Sequence, residues 1–274
     1  MDRVFLRREL ERFYLEDVGY SDITTENLPI EKKVEAKIVA KDQGIVAGTP
    51  FIKELFSIVD PSVEVIIHKT DGELIQKGDT IISLKGCGKS ILKAERTGLN
   101  ILQRLSGIAT KTSEFVKVLE GSNIKLLDTR KTTPGFRAFE KYAVKVGGGY
   151  NHRFALYDMV MLKDNHIALV GGIKEAVKLV RKKVSPMVKI EVETNTLQQV
   201  QEAVEANVDI IMLDNMDDRT IKEALKIISE KAKVEVSGNI TLERLKTLKN
   251  LPIDFVSTGA PIHSSRWLDI SLTF

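Results

Sequence analysis

KIEVETNTLQQVQEAVEANVDIIMLD, residues 189–214, combines two kinds of hydrophobic pattern. Two short runs rich in Val and Ile, KIEVE and DIIMLD, enclose a stretch whose apolar residues recur at helical spacing. Short β-branched runs are typical of parallel strands that are covered on both faces of the sheet. The stretch between them has one apolar and one charged face, as a helix on the surface of a sheet does. The segment therefore predicts a strand, a helix and a second strand parallel to the first.

The same alternation extends over most of the chain. After a long helical stretch that begins near residue 93, apolar runs and helical stretches alternate. Such a series is typical of an α/β fold, either a doubly wound sheet or an α/β barrel. Six runs have the character of short buried strands: IKLLD, MVMLKD, KIEVE, DIIMLD, KVEVS and DFVST.

The residues that follow these strands favour the barrel. Nearly every predicted strand ends in a polar or ionisable group, for example Asp128, Lys163 and Asp214. In a barrel all C-terminal strand ends meet at one face, whereas a doubly wound sheet gathers only the groups near its switch point. Because six strands are visible and not eight, we expect an incomplete (β/α) barrel.

The part of the chain before this series has a different pattern. An opening helix, FLRRELERFYLEDVG, precedes short alternating strands with Gly-rich turns over residues 31–92. We therefore predict a smaller α+β N-terminal domain, resembling a half-barrel sandwich, over residues 1–105. The α/β barrel domain is predicted over residues 106–274, with the extreme C-terminus packing back on the N-terminal domain.

Composition argues against several classes of function. A net charge of +3 over 274 residues and 6% aromatic residues do not favour a nucleic-acid-binding protein. The lone cysteine, Cys87, excludes an internal disulfide and a cysteine-based metal cluster, and suits a reducing compartment. The charged N-terminus lacks the apolar core of a secretory signal, and no apolar run approaches the ~18 residues of a membrane span. We expect a cytoplasmic protein without a membrane partner.

The predicted strand ends collect positive charge. Converging cations are unfavourable unless an anion neutralises them, so the expected ligand carries several negative charges. Arginine guanidinium groups match carboxylate or phosphate oxygens two at a time. The candidates are Arg130, Lys131, His152, Arg153 and Lys163, with Arg96 on the preceding helix.

Carboxylates and small-residue turns occupy the remaining strand ends. Glu193 and Asp214, placed beside a phosphate-rich ligand, would suit Mg²⁺. Small residues in the late loops of a barrel are typical of a phosphate site; they are Ser237, Gly238, Asn239, Thr258, Gly259 and Ala260. The glycines at 147–149 fit either a helix cap followed by a flexible loop, or unusual backbone angles that allow close approach to a ligand. The residues alone predict a barrel that binds a carboxylate-bearing molecule and a phosphorylated sugar together with Mg²⁺.

Two long stretches resemble the quinolinate phosphoribosyltransferase family, the decarboxylating enzymes of NAD biosynthesis. They are DTRKTTPGFRAFEKYAVKVGGGYNHR (residues 128–153) and DMVMLKDNH (158–166). AERTGLNILQRLSGIAT, IEVET and DIIMLDNM are also similar to family segments. The resemblance implies a small N-terminal domain before an incomplete barrel. It also implies a homodimer paired head to tail, in which each site is completed by the partner; a higher oligomer stays open.

The resemblance also implies a reaction and a role for each matched position. The family transfers a phosphoribosyl group from phosphoribosyl pyrophosphate to quinolinate and releases CO₂ and pyrophosphate, which leaves nicotinate mononucleotide. Lys131, Glu193 and Asp214 are the implied catalytic residues. The two carboxylates would hold the ribose hydroxyls and Mg²⁺, directly or through water. The implied quinolinate ligands are Arg130, His152, Arg153 and Lys163, with Arg96 donated to the partner's site. The implied ligands of the phosphorylated sugar include Thr129, Lys131 and the two small-residue turns at 237–239 and 258–260.

Two departures and two alternatives accompany this resemblance. Asn239 stands where the family commonly has Gly, and we expect it to be tolerated because Asn adopts positive φ more readily than most residues. APIHS at 260–264 replaces the more usual Ala-Leu-Thr-His-Ser.

One alternative is the molybdenum-associated relative of the family, which acts on another base. The other is a lipoyl or biotinyl carrier, suggested by DGELIQKGDTIISLKG, although this stretch lacks a suitable lysine hairpin.

Overall fold

The computed structural model describes all residues from 1 to 274, and they form two compact units. The first unit comprises Met1–Ser113, Thr133–Gly148 and Ser265–Phe274, and the second comprises Glu114–Thr132 and Gly149–Ser264. No helix combines the length and the apolar character that crossing a membrane requires.

Helices and strands are numbered in chain order. The helices are α1 (Arg3–Val18), α2 (Thr49–Val59), α3 (Gly88–Leu119), α4 (Arg137–Val146), α5 (Asp164–Val170), α6 (Ile173–Arg181), α7 (Leu197–Glu205), α8 (Asp218–Ile228), α9 (Leu242–Leu248) and α10 (Ala260–His263). The strands are β1 (Lys33–Ala40), β2 (Gly44–Ile45), β3 (Glu64–Ile67), β4 (Leu74–Ile75), β5 (Thr80–Cys87), β6 (Lys125–Leu127), β7 (Val160–Leu162), β8 (Ile190–Thr194), β9 (Ile210–Asp214), β10 (Lys233–Ser237), β11 (Phe255–Ser257) and β12 (Ile270–Thr273).

The first unit is built on an antiparallel sheet with the strand order β12-β1-β5-β3. Its strand β1 has β5 on one side and the last strand of the chain, β12, on the other, with Ile38 opposite Leu272. Alternate residues of β1 point into the core, where Ala36, Ile38 and Ala40 are buried. A strand from the C-terminus thus completes the sheet that the N-terminal strands begin.

Helix α4 belongs to this first unit. In the sequence its residues, FRAFEKYAVKVG, follow the first barrel strand, but the structure places the helix in the first unit. Phe139 of α4 is fully buried, with its ring centroid 5.2 Å from that of Phe51 and 5.3 Å from that of Phe13. Tyr142 donates a hydrogen bond to Asp71 Oδ2 at 2.7 Å. The apolar face of α4 was recognised correctly, but a different surface covers it.

The second unit is a barrel-like parallel sheet of six strands in the order β6-β11-β10-β9-β8-β7. The edge strands β6 and β7 do not pair with each other in this order, so the predicted incomplete (β/α) barrel is confirmed. Beyond β6 the chain makes one more parallel bridge, between Leu127 and Tyr150. The predictions missed α5, α10 and β12, which are short and carry little periodic signal.

The two faces of the barrel strands carry different residues. Val192, Ile211 and Val236 belong to the hydrophobic core that the strands share with the outer helices. Burying such a side chain contributes about 1.5–3 kcal/mol. Because side chains alternate along a strand, the next residues point to the barrel interior, and Met212 and Glu193 line a cavity there. Because the apolar residues fix which face of each strand lies against the helices, they also fix which side chains point into the cavity.

The glycine run at 147–149 forms a helix cap and includes one positive φ, and none of its three residues lines the cavity described below. Gly147 caps the C-terminal end of α4, and its N–H donates to Ala143 O. A Cβ at this position would lie only 2.4 Å from the carbonyl oxygen of Ala109, so a side chain has no room there. Gly148 follows with φ +90°, a conformation that favours glycine.

Candidate active site

A cavity of about 700 Å³ lies within the second unit, at the C-terminal ends of the barrel strands. Of the predicted site residues, only Arg96 does not line it; that residue is exposed on α3 in the first unit. The predicted residues that line the cavity are Thr129, Arg130, Lys131, His152, Arg153, Lys163, Glu193, Asp214, Ser237, Gly238, Asn239, Thr258, Gly259 and Ala260.

Two arginines of the cavity repel each other. The pKa of Arg153 is lowered, first by burial of its guanidinium and then by the positive charge of Arg130. Arg153 Nη1 donates a hydrogen bond to the carbonyl oxygen of Met159 at 3.3 Å. Two neighbouring guanidinium groups that repel each other are suited to an anion with more than one negative charge.

Lys163 and Glu193 form an ion pair within the cavity. The lysine amino group donates a hydrogen bond to Glu193 Oε2. The Glu193 side chain retains 11% of its surface exposed, whereas that of Lys163 retains 42%. A cation and a carboxylate of the candidate site are thus placed next to each other, at the ends of neighbouring strands β7 and β8.

The buried carboxylate of Asp128 holds the loop that carries His152. Asp128 Oδ2 accepts a hydrogen bond from the Asn151 side-chain amide at 2.6 Å, and Oδ1 accepts one from the His152 backbone N–H at 2.9 Å. Asp128 is only 1% exposed. The sequence marks this residue as an acid at the end of β6, but it gives no sign of partners on a loop so much later in the chain.

The His152 side chain lies against two buried acids. Its Nε2 atom is 3.1 Å from Glu191 Oε2 and 3.4 Å from Glu235 Oε2. The pKa of Glu191 is raised, chiefly because burial disfavours its charged form. Burial also disfavours a charged imidazole, but the hydrogen bonds and charges of Glu191 and Glu235 outweigh it and raise the pKa of His152 to about 10.

The turn after β10 has the backbone conformation that the sequence predicted. Gly238 has φ +92° and Asn239 has φ +50°, so Asn239 does adopt positive φ where the family commonly has Gly. Its side-chain amide donates a hydrogen bond to Asn215 Oδ1 at 3.2 Å. Asn215 in turn donates to Asp214 Oδ2 at 2.7 Å, which connects the small-residue turn to a cavity carboxylate.

The turn after β11 brings the backbone close to two basic side chains. A Cβ at Gly259 would lie 2.8 Å from His263 Cδ2 and 3.2 Å from Lys131 Cδ. Thr258 Oγ1 accepts a hydrogen bond from the Ala260 N–H at 3.1 Å. Only a residue without a side chain leaves this part of the cavity open to both basic groups.

Both parts of the chain match models of one family. The model described as "Quinolinate phosphoribosyl transferase, C-terminal domain" matches residues 108–273, and the corresponding N-terminal domain model matches residues 22–106. This chain belongs to the quinolinate phosphoribosyltransferase family.

Named relatives support the same family along the whole chain. A Bacillus subtilis protein called "Probable nicotinate-nucleotide pyrophosphorylase [carboxylating]" is 48% identical over 272 residues, which cover 99% of this chain and 94% of the relative. A chloroplastic nicotinate-nucleotide pyrophosphorylase of Arabidopsis thaliana is 41% identical, covering 94% of this chain and 79% of the relative. The crystal structure of NadC from Streptococcus pyogenes superposes with a TM-score of 0.95 at 39% identity, covering 100% of this chain and 97% of that one.

Sequence reasoning missed several residues of this quinolinate phosphoribosyltransferase cavity. Met161 and Met212 form part of its lining, and the alternation along β7 and β9 was the signal that could have placed them there. His263 also lines it, and its Nδ1 lies 2.7 Å from Ser264 Oγ. The sequence marks that histidine only as part of APIHS, a departure from the family pattern. Glu235, which lies one layer deeper than the cavity, carried no local signal, because the pattern of its strand is that of an ordinary buried strand.

Proposed function

We propose that the chain transfers the phosphoribosyl group of phosphoribosyl pyrophosphate to quinolinate with loss of CO₂, giving nicotinate mononucleotide and pyrophosphate. The observation that carries the proposal is one barrel cavity that contains four cationic side chains, two carboxylates and two small-residue turns. Its size suits two substrates of this class, because sites for small molecules usually measure ~300–1,000 Å³. The names of the relatives point to the same reaction.

Quinolinate is proposed to lie against the arginines. Arg130 and Arg153 would each present a guanidinium fork to a carboxylate, and Lys163 would exchange its Glu193 partner for a substrate carboxylate. We propose a homodimer in which Arg96 of one subunit enters the cavity of the other and adds a further cation. The exposed position of Arg96 on α3 leaves it available for such a contact.

Phosphoribosyl pyrophosphate is proposed to lie on the side of the small-residue turns. The turn at 237–239 and the turn at 258–260 would hold the 5′-phosphate through backbone N–H groups, as late barrel loops do. Lys131, next to Gly259, would contact the phosphorylated sugar, with Thr129 beside it at the cavity wall. Glu193 and Asp214 would accept hydrogen bonds from the ribose hydroxyls.

The same two carboxylates fit the proposed Mg²⁺. Glu193 and Asp214 offer the oxygen ligands that Mg²⁺ takes, which are typically one or two protein carboxylates together with substrate phosphates and water. Bound there, the ion would neutralise charge on the departing pyrophosphate. Glu193 can serve it once Lys163 has turned toward a substrate carboxylate.

The proposed chemistry uses these residues to place and stabilise charge. The pyridine nitrogen of quinolinate forms a bond to the anomeric carbon while the bond from that carbon to pyrophosphate breaks. Glu193 and Asp214 stabilise the positive charge that builds on the ribose. The alkylated ring is a pyridinium, which accepts the electron pair left when the adjacent carboxylate departs as CO₂, and a proton then takes the place of CO₂. The cations must therefore orient the diacid without overstabilising the carboxylate that leaves.

An omission assay tests the proposal. The protein is mixed with quinolinate, phosphoribosyl pyrophosphate and Mg²⁺, and CO₂ and nicotinate mononucleotide are measured. Leaving out either substrate should abolish both products, and leaving out Mg²⁺ should lower the rate strongly. Turnover of nicotinate in place of quinolinate, or product without CO₂, would contradict the proposal and favour a relative acting on another base.

Oligomeric state and location are proposed along with the reaction. We propose a dimer of the 30.6 kDa chain in the cytoplasm. Sedimentation should give twice the chain mass, and a monomer that retains full activity would rule out a shared site. A higher assembly would be compatible with the shared site if the dimer remained its building block.

A further inference from the structure

Two buried acids lie directly below the candidate active site. Glu191 on β8 and Glu235 on β10 each precede a cavity-lining residue, Glu193 and Ser237, by two positions. Since residues two apart on a strand share a face, both acids point into the barrel interior, one layer deeper than the cavity. Strands β8 and β10 are separated by β9, and alternate strands contribute side chains to the same interior layer.

The polar side chain that contacts both carboxylates is the imidazole of His152, and the positive charge of Arg153 also acts on Glu191. Both acids are completely buried, and none of their four oxygens has a hydrogen-bond donor other than this ring. The His152 side chain is itself only 7% exposed. A buried carboxylate without a partner is strongly unfavourable. The imidazole and the two acids therefore depend on one another.

The other ring nitrogen of His152 is also occupied. The backbone N–H of Arg153 donates a hydrogen bond to His152 Nδ1 at 2.7 Å. A ring nitrogen that accepts a hydrogen bond carries no proton, so this contact keeps Nδ1 unprotonated even though the raised pKa of His152 favours a charged ring. The ring proton therefore lies on Nε2, facing Glu191 and Glu235.

From these contacts we infer that Glu191 and Glu235 are positioning residues for the quinolinate side of the cavity. The acid pair holds the imidazole of His152 through Nε2, and Nδ1 of the same ring holds the backbone of Arg153 at the cavity wall. His152 thereby connects the two acids in the barrel interior to a substrate-binding arginine, and we call this set of contacts the bracket. The inference rests on the proposed function to the extent that Arg153 is assigned there to quinolinate.

The contacts run from the two acids through His152 to Arg153, and this order predicts which substrate would bind less tightly if the acids were replaced. The acid pair contacts the imidazole that holds Arg153. The turn at 258–260 follows another strand, β11, and the turn at 237–239, although it begins two residues after Glu235 on β10, is held by its own hydrogen bond from Asn239 to Asn215. Loss of the acid pair should therefore weaken quinolinate binding and leave binding of the phosphorylated sugar nearly unchanged. A general loss of barrel stability would affect both substrates together.

Steady-state kinetics of a double variant test this expectation. Glu191→Gln combined with Glu235→Gln keeps the side-chain volume and replaces both carboxyl groups by amides, which cannot ionise. We expect the KM for quinolinate to rise at least about tenfold, which is the effect of losing one hydrogen bond to a charged group. The KM for phosphoribosyl pyrophosphate should stay within about twofold of the wild-type value. Equal changes in both constants would overturn the positioning role.

Asp254→Asn is the matched control. Asp254 accepts a hydrogen bond from the Val234 N–H at 2.9 Å and pairs with Lys233 at 2.7 Å, so it also supports β10, but at the N-terminal end of that strand. Its loss should lower stability without changing the ratio of the two KM values. A change in that ratio equal to that of the double variant would show that any weakened barrel strand has the same effect.

Nuclear magnetic resonance of the ring nitrogens tests the bracket without relying on activity or on a folded double variant. The chain has four histidines, and ¹⁵N-histidine labelling with a His152→Gln reference identifies the signals of interest. Wild-type protein should show a protonated Nε2 and an unprotonated Nδ1 for His152. The opposite tautomer, or a ring proton that exchanges as in free histidine, would overturn the inference even if quinolinate turnover is found. If turnover is absent and this tautomer is present, the proposed function fails and the bracket stands.

Metal analysis tests the alternative that His152 and the two acids bind a metal ion. His152 Nε2 and one oxygen from each acid lie within 4.8 Å of one another, a spacing that three metal ligands could also have. The inferred tautomer places a proton on Nε2 and so excludes coordination. One equivalent of a transition metal that is retained by the wild type and lost from the double variant would replace the hydrogen-bonded bracket with a metal site.

Discussion

Gly238 and Asn215 approach each other so closely that a Cβ at position 238 would lie 2.2 Å from Asn215 Oδ1. The two residues lie at the ends of neighbouring strands β10 and β9, and both line the cavity. Gly238 also has φ +92°. The narrow turn proposed for the 5′-phosphate therefore depends on the absence of a side chain at one position.

Gly238→Ala should reduce both stability and affinity for phosphoribosyl pyrophosphate. Strain at a positive φ costs on the order of 1–3 kcal/mol, and the clash with Asn215 has to move the turn itself. Gly171→Ala is the control, because Gly171 has φ +95° and open space around it. Urea unfolding should show a loss for both variants, and kinetics should show a raised KM for Gly238→Ala alone. Equal KM values for the two variants would show that the turn at Gly238 does not contribute to binding of phosphoribosyl pyrophosphate.

Arg130→Ala and Arg153→Ala should each raise the KM for quinolinate by about ten- to a hundredfold, because a hydrogen bond to a charged group contributes about 1.5–3 kcal/mol. The KM for phosphoribosyl pyrophosphate should change much less. Arg219→Ala serves as the control, since the Arg219 side chain is 89% exposed on α8 and remote from the cavity lining. Near-normal quinolinate kinetics in either cavity variant would refute the assignment.

Arg96→Ala and Arg130→Ala should complement each other if the site is shared between subunits. Each variant alone lacks one cation in every site and should be nearly inactive. A mixed dimer contains one site with both arginines, so random exchange of subunits should restore about a quarter of wild-type activity in a two-fold symmetric dimer. Activity that stays at the level of the separate variants after subunit exchange would place Arg96 in its own subunit's site, or in none.

Asp60 should give the first unit a pH-dependent contribution to stability. Asp60 Oδ1 accepts hydrogen bonds from the Ser62 N–H at 2.9 Å and its hydroxyl at 2.7 Å, and Oδ2 accepts one from the Ser90 hydroxyl at 2.7 Å. The Ser62 and Ser90 side chains, and then the Ser62 backbone, lower the pKa of Asp60 below its usual 3.8. A lowered folded-state pKa stabilises the protein above the unfolded value, and this gain disappears as pH falls through the folded value.

Asp60→Asn should therefore be less stable than wild type at pH 7. The difference between the two free energies of unfolding should shrink as the pH falls below 3.8. Urea titrations of both proteins across this range measure it. A difference that does not depend on pH would mean that packing, and not the carboxylate charge, is what Asp60 contributes.

Much of the barrel could be predicted because its information is local. Alternation along β8, β9 and β10 separates helix-facing residues such as Ile211 from cavity-facing ones such as Met212. Parallel strands place all their C-terminal ends on one face. Knowing the strands was therefore sufficient to predict that Arg130, Lys163 and Asp214 share one cavity.

Which helices and strands pack against each other could not be predicted in this way. The apolar stripe of α4 was visible, but nothing local states that Phe139 packs against Phe51 in the first unit. The pairing of β12 with β1 joins residues near opposite ends of the chain. An apolar face requires burial, and many surfaces of the same chain can satisfy that requirement, so the geometry of the whole fold selects among them.

The sequence by itself determined the strands, their inward faces, the cations at their ends and the family. Tertiary structure decided which buried groups meet, above all Glu191 and Glu235 on either side of β9 with His152 between them. In the sequence each of these acids is one of several polar residues that alternate with valine and isoleucine along its strand. Their shared contact exists only because the barrel curves two alternate strands toward one imidazole, where low polarity makes an unpaired charge too unfavourable to leave without a partner.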